Sequence, residues 1–226
     1  MALRTKWRIW RASRGIVPAE KLTLGHILRE PHRYGALADD FLKMQFPAVL
    51  TIGRTAYPVP LTLKQFSRHL CYGQRLFLAQ REPHDIGYVL RYIDGYYYPF
   101  ATGRPWDEAK ALSFGRKILN CKAKDVFPVA QHLINLMDEL IKREQKQLQR
   151  EPSKLEKAAG IEKLNRFAGL TSLIFLMDSF KLPEAAVMLL PYDDCLVRFM
   201  LQKEQQAYAE RLTELQAKES KSRFTK

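Results

Sequence analysis

Apolar positions in this chain recur mostly at the three- and four-residue spacing of helices, and one short stretch alternates as a strand does. The strongest stripe is Val129, Leu133, Leu136 and Leu140, widened by Met137 and Ile141, with Asp125 as its expected cap. Thr23 should cap a short helix over Leu24–Arg29 that Pro31 ends, and a second short helix is expected around Ala36–Met44. Thr62 should cap another, in which Leu63, Phe66, Leu70, Phe77 and Leu78 predict roughly four turns loosened at Gly73. Ile86, Val89, Leu90 and Ile93 predict a helix over about 84–94 with Gly95 as its stop. Pro105 should open the next, with Asp107 and Glu108 in its first turn and Ala111, Phe114 and Ile118 as the buried line. The exception in period is 47–60. Val49, Leu50 and Ile52, then Gly53-Arg54, then Thr55, Ala56, Tyr57 and Val59 predict a hairpin with a two-residue Gly-X turn. Pro58 and Pro60 confine its second strand to an edge.

The last third reads as the organising segment. Leu164, Phe167, Ala168, Leu170, Ile174, Phe175 and Met177 cover more than one helical face, which predicts core. Pro183 and Pro191 each suit a first helical turn, and Asp193 and Asp194 lie where the positive end of a helix favours carboxylates. Leu196, Phe199 and Met200 continue an apolar face, after which 202–218 turns polar and keeps only Tyr208, Leu212 and Leu215. Such a helix is anchored at one end and projects at the other. The expected fold is mainly α: a helical bundle with one small β-hairpin, a basic N-terminal arm and a long projecting C-terminal helix. Its expected organisation is an arm with short helices (1–45), a hairpin plus helical body (46–141), a charged extension or linker (142–160) and C-terminal helices (161–226).

With 46% hydrophobic residues the 226-residue chain can bury a core, so it is not a disordered protein. Its net charge of +13 asks for an acidic partner or a crowded assembly. The excess sits at the ends: 1–35 holds eight Lys/Arg against Glu20 and Glu30, a net of +6, and 216–226 holds four against Glu219, a net of +3. In the arm, a helical conformation would put Trp7 and Trp10 on one face beside Arg4, Arg8 and Arg11, with Lys6 and Arg14 nearby. These seven residues are the candidate contacts to a partner groove or a nucleic acid, unless the indoles pack on the chain's own body. The Arg-rich opening also has the composition of a mitochondrial presequence. Cys71, Cys121 and Cys195 are an odd number and far apart, which argues for buried thiols in a reducing compartment. No apolar run approaches the ~20 residues that cross a bilayer.

Candidate chemistry is sparse. His26, His32, His69, His84 and His132 are scattered, and no metal-ligand spacing, phosphate-binding glycine loop or nucleophile elbow appears, so no catalytic, cofactor or metal residues are expected. The most aromatic stretch, 92–106, groups Tyr96, Tyr97, Tyr98, Phe100 and Trp106 near Arg91 and Arg104. Aromatic and cationic groups together can stack bases or sugars. A protein-interface anchor, or a flap over the core, is the expected role.

Three stretches carry a resemblance: TIGRTAYPVPLTLKQF (51–66), DVFPVAQHLINLMDELIKREQ (125–145) and FAGLTSLIFLMDSFKLPEAAVMLLPYDDCLVRFMLQKEQQAYAERL (167–212). From the hairpin onward the chain resembles small structural proteins of the assembly gene clusters of tailed phages. Head-to-tail ring or neck components and tail-assembly chaperones share a small hairpin on a helical body. The resemblance implies a non-enzymatic virion protein, a ring or connector subunit at the head–tail junction, whose partners are copies of itself and other virion proteins. Non-specific contact of the arms with packaged DNA is also expected, and no membrane. A tail-assembly chaperone is the alternative, although the basic Trp-bearing arm departs from the compact chaperones. A basic RNA-binding organellar ribosomal subunit is the alternative of another class, drawn from the charge and the presequence-like start.

Overall fold

The computed structural model describes residues 17–79, 87–150, 152 and 154–224. The seven arm residues Arg4, Lys6, Trp7, Arg8, Trp10, Arg11 and Arg14 lie outside them. The chain is mainly α with one two-stranded antiparallel hairpin. Its helices are α1 (Leu24–Arg29), α2 (Pro31–Leu42), α3 (Leu63–Arg68), α4 (Tyr72–Ala79), α5 (Gly87–Tyr92), α6 (Tyr98–Thr102), α7 (Glu108–Ile118), α8 (Ala123–Leu148), α9 (Lys154–Ala158), α10 (Ala168–Phe180), α11 (Glu184–Val187) and α12 (Tyr192–Phe224). Two compact units share them: Met1–Leu61 with Arg81–Asn135, and Thr62–Gln80 with Leu136–Lys226. The dividing point falls inside α8.

In the first unit, α1 has its expected bounds. The Thr23 N–H, left without an intrahelical acceptor, donates to His26 Nδ1 at 3.1 Å. The hairpin pairs β1 (Val49–Ile52) with β2 (Thr55–Pro58), Leu50 opposite Tyr57 and Thr51 opposite Ala56. Gly53 takes a positive φ of 64° at the first turn position, which a side chain would resist. Leu50 and Ile52 point inward and Val49 and Thr51 outward, so the period-2 signal was a burial signal. The start of α8 is set by tertiary bonds rather than by a cap at Asp125. The Ala123 N–H donates to Leu22 O at 2.8 Å and the Leu24 N–H to Cys121 O at 3.0 Å, so the helix begins at Ala123, ahead of the expected cap. Asp107, not Pro105, caps α7, with its carboxylate accepting from the Lys110 N–H at 3.0 Å. Hydrogen bonds to the charged form hold its carboxyl below the usual carboxylate value.

Gly95 does not stop the helix before it. A π-helical turn, Ile93–Tyr97, joins α5 to α6, and Gly103, at a φ of 64°, is the true stop. Widening the turn brings Ile93, Asp94, Tyr96 and Tyr97 inside together, packed against α7, while α6 lies on β2. Asp94 occupies space only a glycine leaves: a Cβ at Gly115 would meet Asp94 Oδ1 at 1.8 Å. Tyr97 OH donates to Tyr57 O at 3.0 Å, and Phe114 takes Tyr57 edge-on at 5.6 Å.

In the second unit, Thr62 caps α3 as expected, accepting from the Gln65 N–H at 3.3 Å. The four-turn helix expected after it is two helices, broken at 69–71 rather than at Gly73. Backbone pairing with 188–192 causes the break. The Tyr72 N–H donates to Leu190 O at 3.0 Å, Gly73 to Met188 O at 2.9 Å, and Tyr192 back to Leu70 O at 2.9 Å. Those bonds use groups that a continuous helix would need for itself. The core stripe expected here is corrected. Phe167, Leu170 and Ile174 are exposed and Phe175 and Met177 half-buried, whereas the buried positions of α10 are Leu173 and Leu176.

Replacing Gly115 with alanine should cost about 1–3 kcal/mol, because the packed Asp94 carboxylate has to move. Tyr97→Phe should cost only ~0.5–1.5 kcal/mol, the net worth of one hydrogen bond. Urea unfolding checks both: the glycine variant shifts the midpoint further than the tyrosine variant.

Candidate functional site

The second unit holds a cleft of about 520 Å³ between α4, the end of α8, α10 and α12. Its walls are apolar, from Leu76, Leu148 and Phe199. Its charged groups are fixed by one another. Arg75 donates to Glu144 with Nε at 3.0 Å and Nη2 at 2.9 Å, a bidentate pair with both side chains largely out of water. Tyr192 OH donates to the same Glu144 carboxylate. Burial opposes the Arg75 charge, but the Glu144 carboxylate outweighs it and holds the guanidinium above its ordinary value. Burial and the adjacent carboxylate push the Tyr192 phenol far up. Burial pushes the neighbouring Tyr72 up to about 12.

At the mouth, Arg150 pairs with Glu156 at 2.9 Å and with Glu210, and Lys203 Nζ donates to Gln147 O at 2.7 Å. Glu144 accepts three hydrogen bonds, and Arg75 and Tyr192 are both shifted further from neutral pH, which suits neither of those two to proton transfer there. The arrangement locks helices together around walls that are largely apolar. Among the described residues no group of three or more His, Cys, Asp or Glu is placed to hold a metal. None of the described helices is long and apolar enough to cross a membrane.

The open surface of this unit is more distinctive than its cleft. Exposed apolar side chains run along α10 (Leu170, Ile174) and along α12 (Val197, Leu201, Tyr208, Leu212, Leu215). On α12 they lie opposite the buried face of Tyr192, Cys195 and Leu196, so this helix has two apolar sides. The chain matches no family model, no curated protein and no solved structure. Its surfaces must therefore be read on their own chemistry.

Of the two roles expected for the aromatic stretch, interface anchor and flap over the core, three of its rings take the second. Tyr96 and Tyr97 are fully buried and Tyr98 is 4% exposed, all in the chain's own interior, so these three are core rather than partner contacts. Tyr96 and Tyr97 stack on Phe100 with centroids 6.4 and 6.5 Å apart. Phe100 and Trp106 are half-buried, at the edge of the same cluster. A continuous helix through Gly95, packed on two sides, hides rings that a loop would show. Two of the histidines are used locally: His26 caps α1, and His132 stacks on Phe46 at 3.8 Å with its Nε2 2.7 Å from Pro60 O. All three thiols are buried and unbridged, and burial raises each of them, Cys195 to about 12. That suppresses the reactive thiolate.

Glu144→Gln leaves a buried guanidinium without its counter-charge, which costs about 3–5 kcal/mol in comparable pairs. Tyr192→Phe removes one hydrogen bond and should cost about 1 kcal/mol. Thermal unfolding of both variants checks the order. Equal, small losses would mean that the cleft is held by its apolar walls alone.

Proposed function

We propose that this protein is a non-enzymatic structural protein of a tailed-phage virion, a ring or connector subunit at the head–tail junction. Its work is geometric: helical surfaces bind neighbouring copies and other virion proteins, and the basic arm binds acidic protein or packaged DNA. The observation that carries the reading is the row of exposed apolar side chains on α10 and α12. Contiguous exposed apolar surface on a protein of this kind usually marks a protein contact. The helical body with one hairpin is the layout the phage resemblance implies. The chemistry of the cleft agrees, since its ionisable groups are committed to holding helices.

A second reading, a tail-assembly chaperone, is favoured by the same open faces, because a chaperone presents apolar surface to an unassembled partner. A ribosomal role has the basic charge in its favour. Mass spectrometry of purified particles separates them. Stoichiometric copies in mature particles support the ring subunit. Absence from particles, with capture of a tail-tube or tape-measure protein from infected cells, supports the chaperone. Salt-sensitive RNA binding with neither supports the third. Deleting residues 1–19 should leave the helical body folded, with a cooperative thermal transition by circular dichroism, and reduce particle assembly; a truncated chain that assembles like full length removes the role given to the arm.

A further inference from the structure

The outer face of α12 has a pattern of its own. The helix runs 33 residues, about 50 Å at 1.5 Å per residue. At 100° per residue, Val197, Leu201, Tyr208, Leu212 and Leu215 fall within an arc of about 60°. From Tyr208 to Ser220 every residue is exposed. A polar helical end with no covered face is marginal in water, since most helical stability in proteins comes from packing an apolar stripe. Three of the stripe residues, Leu201, Tyr208 and Leu215, are spaced by sevens, as in a coiled-coil seam. The alternate seam positions are charged: Glu204, Arg211 and Lys218.

We propose that this stripe pairs with the same stripe of a second copy, antiparallel and centred on Tyr208. The charges decide both the occupant and the direction. A parallel, in-register pair would set Glu204 against Glu204, Arg211 against Arg211 and Lys218 against Lys218, three like-charge contacts. Turned antiparallel about Tyr208, Leu201 faces Leu215 of the second copy and Tyr208 faces Tyr208. Glu204 then comes level with Leu212 and within one residue of Arg211. Each edge of the stripe meets the same edge of its copy in such a pair, so Glu204 and Arg211 form two symmetric ion pairs. The contact is isologous and closes on itself. It leaves α10 free for another neighbour. The packed face of α12, through Tyr192 and its bond to Glu144, fixes the direction in which the stripe points.

The pairing deepens the assembly reading but rests on it only in requiring two copies. Its test is therefore separate. Purified full-length protein should sediment as a dimer at micromolar concentration. Glu204→Arg should weaken the dimer about tenfold, Arg211→Glu likewise, and the double swap should restore it. Leu201→Cys protein mixed with Leu215→Cys protein should form disulfide-linked dimers under oxidation, while either variant alone does not; the native thiols are buried. These sites are exposed, so the variants should fold, with circular dichroism as the check. A monomer at all concentrations overturns the proposal without touching the virion assignment. Self-linking of Leu201→Cys alone overturns the antiparallel direction, as does a double swap that stays monomeric.

Discussion

One carboxylate organises the second unit. Glu144, near the end of α8, receives both arms of the Arg75 guanidinium from α4 and the hydroxyl of Tyr192 from the first turn of α12. Three helices distant in sequence are fixed at a single point. The backbone bonds between 70–73 and 188–192 place Arg75 and Tyr192 within reach of it. Charge buried in this way is costly unless every partner is present, so the site tolerates little rearrangement. A weaker contact would let α12 rotate; this one sets which face is covered and which is open.

That constraint gives α12 its character. A helix with one apolar face folds onto its own chain and is finished. Here Tyr192, Cys195 and Leu196 are used inside, while Val197, Leu201, Tyr208, Leu212 and Leu215 stay outside. On the assembly reading proposed above, this outer face is the surface that meets another protein. Other candidate groups are committed inside: the three thiols are buried and raised, and Tyr96, Tyr97 and Tyr98 fill the core of the first unit.

Local rules were legible in the sequence. Thr23 and Thr62 cap the helices they precede, and Gly53 makes the turn that its position demands. Features decided by distant residues were not. The break at 69–71 is made by backbone groups of 188–192, and the start of α8 by those of 22–24. Tyr96, Tyr97 and Tyr98 read as a loop because Gly95 read as a stop; a π-helical turn carries the chain past it, which no residue type announces. Phe167, Leu170 and Ile174 read as core because apolar spacing cannot tell which neighbour covers a face. The open stripe on α12 was half visible, in Tyr208, Leu212 and Leu215. Its meaning needed Leu196 and Val197 separated into inner and outer sides.

The central claim is that the outer face of α12 is covered by another protein chain. Amide hydrogen exchange across 201–215, followed as the protein is concentrated, tests it most directly. Protection that rises with concentration in this segment, and not along α8, is the predicted result. Exchange across 201–215 that stays fast at every concentration, and in assembled particles, would contradict it.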